Sequence, residues 1–321
     1  MRATLRILVP LLVVAVAALL PLWSGTYVLA VARSVLTYMA LAISWDMLLR
    51  SGQISFGIAG FFGLGAYATA LGVLRAGMSP IVSILFAGVF AAAVALVLGS
   101  VILRLRAVYF SITTLALAEI FRVVAHNAGD WTGGAEGLVL PGLVFGGEAK
   151  ALYWVILGAV VLAVVASELF ERTRLRPALT AIRNNEVSAA SSGIHIFKYL
   201  VIAFVVSSFL QGIVGGVQVQ GYGFASPDSV FDANYTLLPL AMALLGGMHG
   251  TPGPVIGALL LGVAAEFLKL KIPYGHYLVY GVIILLVILF MPQGLWGLVR
   301  GRVRRTSSKA RPAAGSAEGG R

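Results

Sequence analysis

The chain has 321 residues, of which 60% are hydrophobic and 11% charged, and its mean hydropathy is +0.97. Because soluble domains carry roughly 25% charged residues, this composition excludes a soluble enzyme and predicts a polytopic helical membrane protein. The sequence holds no cysteine, which excludes a disulfide framework, a thiolate metal site and a cysteine nucleophile. The net charge of +11 is typical of Lys and Arg concentrated on one side of a membrane, rather than of nucleic-acid binding.

Apolar runs of about 17 to 25 residues predict where the chain crosses the membrane. In chain order the runs cover residues 7–23, 27–49, 53–73, 79–103, 107–125, 151–170, 197–221, 236–249, 253–271 and 275–293. The eighth run is too short to span and is followed by Gly250, Pro252, Gly253 and Pro254, which predicts a half-helix or re-entrant element. We therefore expect an all-α fold of about ten transmembrane segments, one of them short or broken.

The distribution of basic residues predicts the orientation of the chain. If ten spans alternate, most Lys and Arg side chains fall on one side, which the positive-inside rule assigns to the cytoplasm together with both termini. These residues are Arg2, Arg6, Arg50, Arg104, Arg106, Arg172, Arg174, Arg176, Arg183, Lys198, Arg300, Arg302, Arg304, Arg305, Lys309, Arg311 and Arg321. The sequence thus divides into a transmembrane domain, 1–300, and a disordered basic cytoplasmic tail, 301–321. Residues 1–32 also fit a cleavable signal peptide, although an uncleaved first helix is the usual case in polytopic proteins.

Glycines at helical spacing predict close packing between spans. Small residues three or four apart let helix backbones approach in lipid, where hydrophobicity gives no drive to associate. The glycines in such positions are Gly57, Gly60 and Gly63, and the GxxxG pairs Gly212 with Gly216 and Gly253 with Gly257.

Ionisable residues inside the predicted spans are few, and each is costly enough to indicate a function by default. Glu119 lies deepest, with Arg122 three residues later, so if any carboxylate faces a polar translocation path we expect it to be Glu119, with Arg122 reaching toward the outer interface. Asp46 with Arg50 and Glu266 with Lys269 have similar helical spacing, and mutual neutralisation is the alternative explanation for every such pair.

Enzyme signatures are missing from the sequence. It contains no GxxxxGK[ST] phosphate loop and no HExxH or other metal-ligand spacing, so we expect no catalytic residue, no bound metal and no cofactor in this chain.

The basic loop between the sixth and seventh runs predicts a surface helix over residues 178–190. Pro177 is suited to open this helix and Gly193 to end it, while Leu179, Ile182 and Val187 are spaced toward one face. Two interpretations stay open: a helix that rests on lipid headgroups, or one presented to a soluble partner.

At this loop a family resemblance becomes specific. The chain resembles the branched-chain amino acid ABC transporter permeases of the LivM type. The similar stretches are SGQISFGIAGFFGLGAYATA from Ser51, RLRAVYFSITTLALAEIFRVV from Arg104, WTGGAEGL from Trp131, ALTAIRNNEVSAASSGIHIFKYL from Ala178, GFASPDS from Gly223, LLGGMHGTPGPVIGALLL from Leu244 and MPQGLWG from Met291.

The resemblance implies a bacterial inner-membrane permease subunit in the lipid bilayer. Its implied partners are a LivH-like permease in a heterodimer, two cytoplasmic ABC ATPase subunits that hydrolyse the ATP, and a periplasmic solute-binding protein. The implied substrates are branched-chain amino acids, although permeases for urea, amides or other amino acids share these motifs. An ion-coupled secondary carrier and a non-transporting membrane scaffold are more distant alternatives.

The resemblance also implies roles for particular residues. Those expected to couple to the ATPases are Ala178, Ile182, Arg183, Asn184, Asn185, Glu186, Ala189, Ala190 and Gly193. Those expected to contact the binding protein are Asp130, Glu136, Asp228 and Asp232, although an acidic outer surface also follows from topology alone.

Overall fold

The protein is described by a computed structural model that covers residues 2–105, 107–141, 143–271, 281–282, 285 and 294–297. The tail, 301–321, lies outside the described residues, and so does the tenth apolar run, 275–293, apart from residues 281–282 and 285.

The described residues are mainly α-helical. The helices are α1 (Arg2–Trp23), α2 (Thr26–Leu49), α3 (Ile58–Leu74), α4 (Pro80–Ile102), α5 (Ala107–Asn127), α6 (Ala149–Arg172), α7 (Leu175–Asn184), α8 (Glu186–Ser191), α9 (Ile196–Tyr222), α10 (Pro227–Val230), α11 (Asn234–Gly246) and α12 (Pro252–Lys271). Six of them are long and apolar enough to cross a membrane, namely α2, α4, α5, α6, α9 and α12, while α1 and α3 contain shorter apolar helices. The prediction of an all-α polytopic membrane protein is therefore confirmed.

Helix α9 lies at the centre of the bundle. It packs against α2, α3, α4 and α6, and 72% of its most apolar stretch is buried. Small residues allow these contacts, because a side chain on Gly65 would overlap the backbone of Gly212, and one on Gly215 would overlap the carbonyl of Phe62. The core is thus held by backbone proximity, as expected where lipid removes the hydrophobic drive between helices.

Helices α4 and α5 lie at the periphery, and their exposed faces differ in character. The exposed face of α4 is apolar, with Ile81, Leu85, Val89 and Val97 about half exposed, as suits contact with lipid tails. Only 28% of the most apolar stretch of α5 is buried. The exposed face of this helix carries charged as well as apolar side chains.

The third span is broken, which corrects the prediction of one continuous run over 53–73. Helix α3 begins only at Ile58, and residues 53–57 are not helical. The side chains of Thr114 and Ser55 accept the amide hydrogens of Phe56 and Gly57, at 3.0 and 3.1 Å. Since unpaired backbone groups are costly in a membrane, these partners are what make the break possible.

The short eighth element is present as expected. Helix α11 has 13 residues and contains Pro239, so it extends about 20 Å, less than the roughly 30 Å of a hydrocarbon core. Residues 247–251 turn the chain back into α12, and the two helices pack closely.

At the opposite end of the bundle from α7 and α8, two loops are tied together by a short antiparallel pair. Strand β1 (Leu138–Val139) pairs with β2 (Phe224–Ala225), with Leu138 opposite Ala225. The side chain of Gln220 also accepts a hydrogen bond from the Val144 amide at 3.0 Å. The long loop after α5 is thereby fixed to the end of α9.

Candidate functional site

The segment predicted to form one surface helix over residues 178–190 forms two helices, α7 and α8, so the prediction of a continuous helix was wrong. Asn185 adopts an extended conformation, with φ −163° and ψ 109°, and its side chain accepts the amide hydrogen of Ser188 to cap α8. An N-cap asparagine competes with helix continuation in this way because its side chain satisfies an otherwise unpaired amide. As a result Val187 does not share the buried face of Leu179 and Ile182 but is 73% exposed.

The residues expected to couple to an ATPase divide between the two faces of this loop. Ala178, Ile182 and Ala189 are buried within the chain, whereas Asn184, Asn185, Ala190 and Gly193 are exposed. Arg183 and Glu186 are partly buried. We call the exposed set, together with Val187, the docking surface. It adjoins an open groove of about 770 Å³ at the turn from α8 to α9, lined in part by Ala190, Ile194 and Phe197.

Beneath the docking surface lies a buried set of polar groups that we call the polar ring. Its members are Asp46, Arg50, Ser167, His249, Gly250 and Thr251. The Asp46 carboxylate accepts the amide hydrogens of His249 and Gly250, at 2.6 and 3.0 Å, and pairs with Arg50 Nε at 3.0 Å.

Arg50 closes the ring on its other side. Its guanidinium donates to the carbonyl and the hydroxyl of Ser167, at 3.1 and 2.5 Å, and the Ser167 hydroxyl contacts Thr251 Oγ1 at 2.8 Å. The Asp46–Arg50 pair was visible in the sequence as an i, i+4 spacing. The contacts with the other members were not, because Ser167 and residues 249–251 are distant from this pair in sequence and no spacing connects them to it.

Helix α7 contacts this region at both of its ends. Glu171 accepts from Arg50 and from Arg176, each at 3.3 Å. At the other end Arg183 packs against Gly52, where the positive φ of +88° and the close approach both disfavour a side chain. Burial, with the Arg183 and Arg50 charges as further causes, lowers the pKa of His249 from 6.5 to about 4.

A second charged cluster lies on the exposed face of α5. Arg122 pairs with Asp228 of α10 at 2.6 Å and with Glu119 at 3.3 Å. Glu119 lies about 18 Å along α5 from its start. The side chains of Glu119, Arg122 and Asp228 are 62, 42 and 69% exposed within this chain. The sequence placed Asp228 with the binding-protein contacts, whereas the structure brings it to the pair expected to line the path.

The other acidic residues expected to meet a binding protein are separate from this cluster. Asp130 and Glu136 are exposed in the loop after α5, where Arg75 donates to the Asp130 carbonyl and stacks on Trp131, 4.9 Å from the ring centroid. Asp232 accepts the amide hydrogen of Asn234 at 2.7 Å at the start of α11.

The glycines expected to pack helices lie at close approaches between elements. A side chain on Gly60 would meet Ala118, and one on Gly63 would overlap Phe231. Further approaches of this kind involve Gly57 with Thr114, Gly212 with Ala91, Gly216 with Thr69, Gly253 with Gly247 and Gly257 with Met242. Among the described residues, no group of three His, Cys, Asp or Glu side chains is arranged to hold a metal ion.

Comparisons with known proteins point in one direction. Residues 27–288 match the profile of the family described as branched-chain amino acid transport system / permease component. The high-affinity branched-chain amino acid transport system permease protein LivM of Escherichia coli K12 is 30% identical over 333 residues, which cover 95% of this chain and 77% of that protein. The related permease LivH of Salmonella typhimurium is 30% identical over 151 residues, 46% of this chain and 47% of that protein. The ribose import permease RbsC of Escherichia coli K12 is 26% identical over 262 residues, 78% of this chain and 80% of that protein. No solved structure matches the chain significantly.

Proposed function

Because the chain belongs to the family of branched-chain amino acid transport permeases, we propose that it is one membrane subunit of an ABC importer for these amino acids. In this proposal a binding protein outside the membrane delivers the substrate, and two separate cytoplasmic ATPases drive its passage. A LivH-like permease completes the membrane part, since relatives named LivM and LivH both resemble this chain. The chain itself is a multi-pass protein of the bacterial inner membrane.

The observation that carries the proposal is the docking surface. A lipid-resting helix presents a continuous apolar face, whereas α7 and α8 bury theirs within the chain and expose Asn184, Asn185 and Ala190 beside an open groove. Val187 adds one exposed apolar side chain to this polar surface. A small polar surface with an apolar centre is suited to a soluble protein partner such as an ATPase.

The substrate path in this proposal runs along the exposed face of α5. A charged side chain facing lipid tails is costly, so Glu119, Arg122 and Asp228 are expected to face water or protein in the assembled importer. The exposed face of α4 differs from that of α5, because its side chains are apolar and can contact lipid tails. The partner permease would therefore cover α5 and enclose the cluster between the two subunits.

The test is uptake by the assembled importer. Two substitutions in α8, Glu186→Lys and Ala190→Asp, reverse one charge and add another. We expect this double variant to reach the membrane normally, to lose the ATPase subunits on purification and to lose ATP-dependent uptake of leucine, isoleucine and valine. Co-purification and uptake of radiolabelled amino acids measure the two effects.

Glu136→Lys provides the matched control, because it makes the same charge reversal on the exposed loop after α5, away from the docking surface. We expect this control to retain the ATPases. Undiminished ATPase binding by the double variant would contradict the docking role. Uptake of ribose, urea or an amide in place of the branched-chain amino acids would contradict the substrate.

A further inference from the structure

We infer that the polar ring transmits the movement of α7 to the turn between α11 and α12, which makes Asp46, Arg50 and Thr251 positioning residues for transport. The inference rests on the proposed function, because it requires a partner that moves α7. It adds to that function the internal connection between the docking surface and the helices that open and close the path.

The ring joins three elements into one unit. Asp46 and Arg50 belong to the end of α2, Ser167 to α6 and Thr251 to the turn before α12. Asp46, Ser167 and Thr251 are fully buried, and the Arg50 side chain is 6% exposed. Since water does not compete for these hydrogen bonds, a displacement of one element carries the other two with it.

Helix α7 is attached to this unit at both ends. Glu171 bridges Arg50 of the ring to Arg176 near the start of α7. Arg183, near its end, packs against Gly52, two residues beyond Arg50. A helix of ten residues extends about 15 Å, so two attachments fix both its position and its tilt.

Two interrupted elements lie beyond the ring. The turn that Asp46 holds follows the short helix α11, and Gly52 precedes the non-helical residues 53–57 before α3. These two interrupted elements touch, because Thr236 of α11 accepts the amide hydrogen of Ala59 in α3 at 3.0 Å. In many transporters interrupted helices form the substrate site, around which rigid-body movements open and close the path. Each of them has one end next to a contact of the ring.

The ring contains a buried ion pair, Asp46 with Arg50, that is held by directional hydrogen bonds. Burying an ion pair costs desolvation, and an apolar pair of similar volume often holds helices together at least as well. The hydrogen bonds of Asp46 and Arg50 instead select one geometry of the turn and of the end of α6, through directional contacts with His249 and Ser167. Such directional contacts suit a unit that keeps one geometry while it moves, which a simple adhesive core does not require.

The experiment uses Thr251→Val in the full importer, reconstituted in liposomes with its ATPases, partner permease and binding protein. This variant is isosteric and deletes only the contact between Thr251 and Ser167, while Ser167 keeps its bond from Arg50. We expect the ATPases to remain bound and the number of ATP molecules hydrolysed per leucine transported to rise by at least about fivefold, the lower end of typical coupling between sites.

Thr69→Val is the matched control, because Thr69 is also fully buried and donates from α3 to the carbonyl of Ser83 in α4, remote from the ring. We expect it to keep the wild-type ratio. Arg50→Lys, which retains the charge but has no forked guanidinium for Ser167, is expected to raise the ratio as Thr251→Val does.

A wild-type ratio in Thr251→Val, or an equal rise in Thr69→Val, would overturn the inference. Lower amounts of Thr251→Val in the membrane with an unchanged ratio would assign the ring a purely structural role and would overturn it as well. Failure of the proposed function is distinct, because the wild-type chain would then neither retain the ATPases nor transport leucine.

Discussion

At the scale of single residues, His249 has an unusual backbone conformation and surroundings that disfavour protonation of its side chain. Its φ of +67° is the only positive value at a non-glycine position among the described residues. Its amide hydrogen is bonded to Asp46, which compensates this conformation, while its half-buried imidazole lies near Arg183 and Arg50. The imidazole is therefore neutral in the folded protein at pH 7.

This environment predicts a pH dependence of stability. The folded pKa of His249 is about 4 against 6.5 for the unfolded chain, so between these values the unfolded chain binds a proton that the folded chain does not. The stabilising effect of a neutral His249 is complete above pH 6.5 and is lost as the pH falls toward 4. We expect the thermal unfolding midpoint of the detergent-purified protein to fall over this range.

His249→Asn isolates this effect from the titration of carboxylates. Asparagine accepts a positive φ better than most residues and keeps the amide that Asp46 binds, but it does not titrate. We expect the variant to lose less stability than the wild type on acidification from pH 7 to pH 5. Identical pH profiles of the two proteins would contradict the assignment.

Only one pair of the polar ring could be predicted from the sequence. An i, i+4 pair such as Asp46 and Arg50 is readable because both members lie on one helix. Ser167 is 117 positions from Arg50 and 84 from Thr251, and no pattern in one sequence connects such hydroxyls. The same limit hid the contact between Arg122 and Asp228, which are 106 positions apart.

At the scale of elements, the glycine contacts predict which helices tolerate an added methyl group. A side chain on Gly257 of α12 would overlap the carbonyl of Met242 and lie 2.8 Å from the amide nitrogen of Gly246. We expect Gly257→Ala to separate α11 from α12 and to lower the free energy of unfolding by about 1–3 kcal/mol, as overpacking usually does. Thermal inactivation in detergent measures this loss.

Gly158→Ala serves as the comparison for this substitution. Gly158 lies inside α6 with nothing within 4 Å of the place a Cβ would take, so alanine there removes only the helix penalty of glycine. We expect its stability to be unchanged or slightly higher. A loss equal to that of Gly257→Ala would show that close helix packing is not the cause.

Hydropathy predicted the long helices well and the interruptions poorly. It located the runs that became α2, α4, α5, α6, α9 and α12, because length and apolar content are what a lipid core selects. It missed the break before α3, since Ile54 and Phe56 extend the apolar pattern of the helix that follows and the conformation of residues 53–57 depends on side chains of α5. The break at Asn185 escaped detection because a capping role depends on a single local hydrogen bond.

At the scale of the whole molecule, the sequence offers a direct test of orientation. It contains no cysteine, so a single introduced thiol reports its own side of the membrane without background. Ser188 and Glu136 are both exposed, in α8 and in the loop after α5. We expect an impermeant maleimide to label Glu136→Cys in intact spheroplasts and to label Ser188→Cys only after lysis. The reverse pattern would contradict the cytoplasmic assignment of the docking surface.

The fold class and the family were accessible from the sequence because composition and motif order extend over most of the chain. The arrangement of the candidate site was not, because it depends on which helices become neighbours. Helices α2 and α6 meet at Arg50 and Ser167 although α3, α4 and α5 lie between them in the chain. Only the three-dimensional packing shows that the docking surface and the interrupted helices share this contact.

The break before α3 also has a consequence for biogenesis. The amide of Ala59 depends on a hydroxyl 177 residues later in the chain, and that of Phe56 on one 58 residues later. When the ribosome has made only the first three helices, neither partner has entered the bilayer, so these amides must stay hydrated or be shielded by the insertion machinery. Completion of the third helix is thus a late event, and termination before α11 leaves the Ala59 amide without its hydroxyl partner.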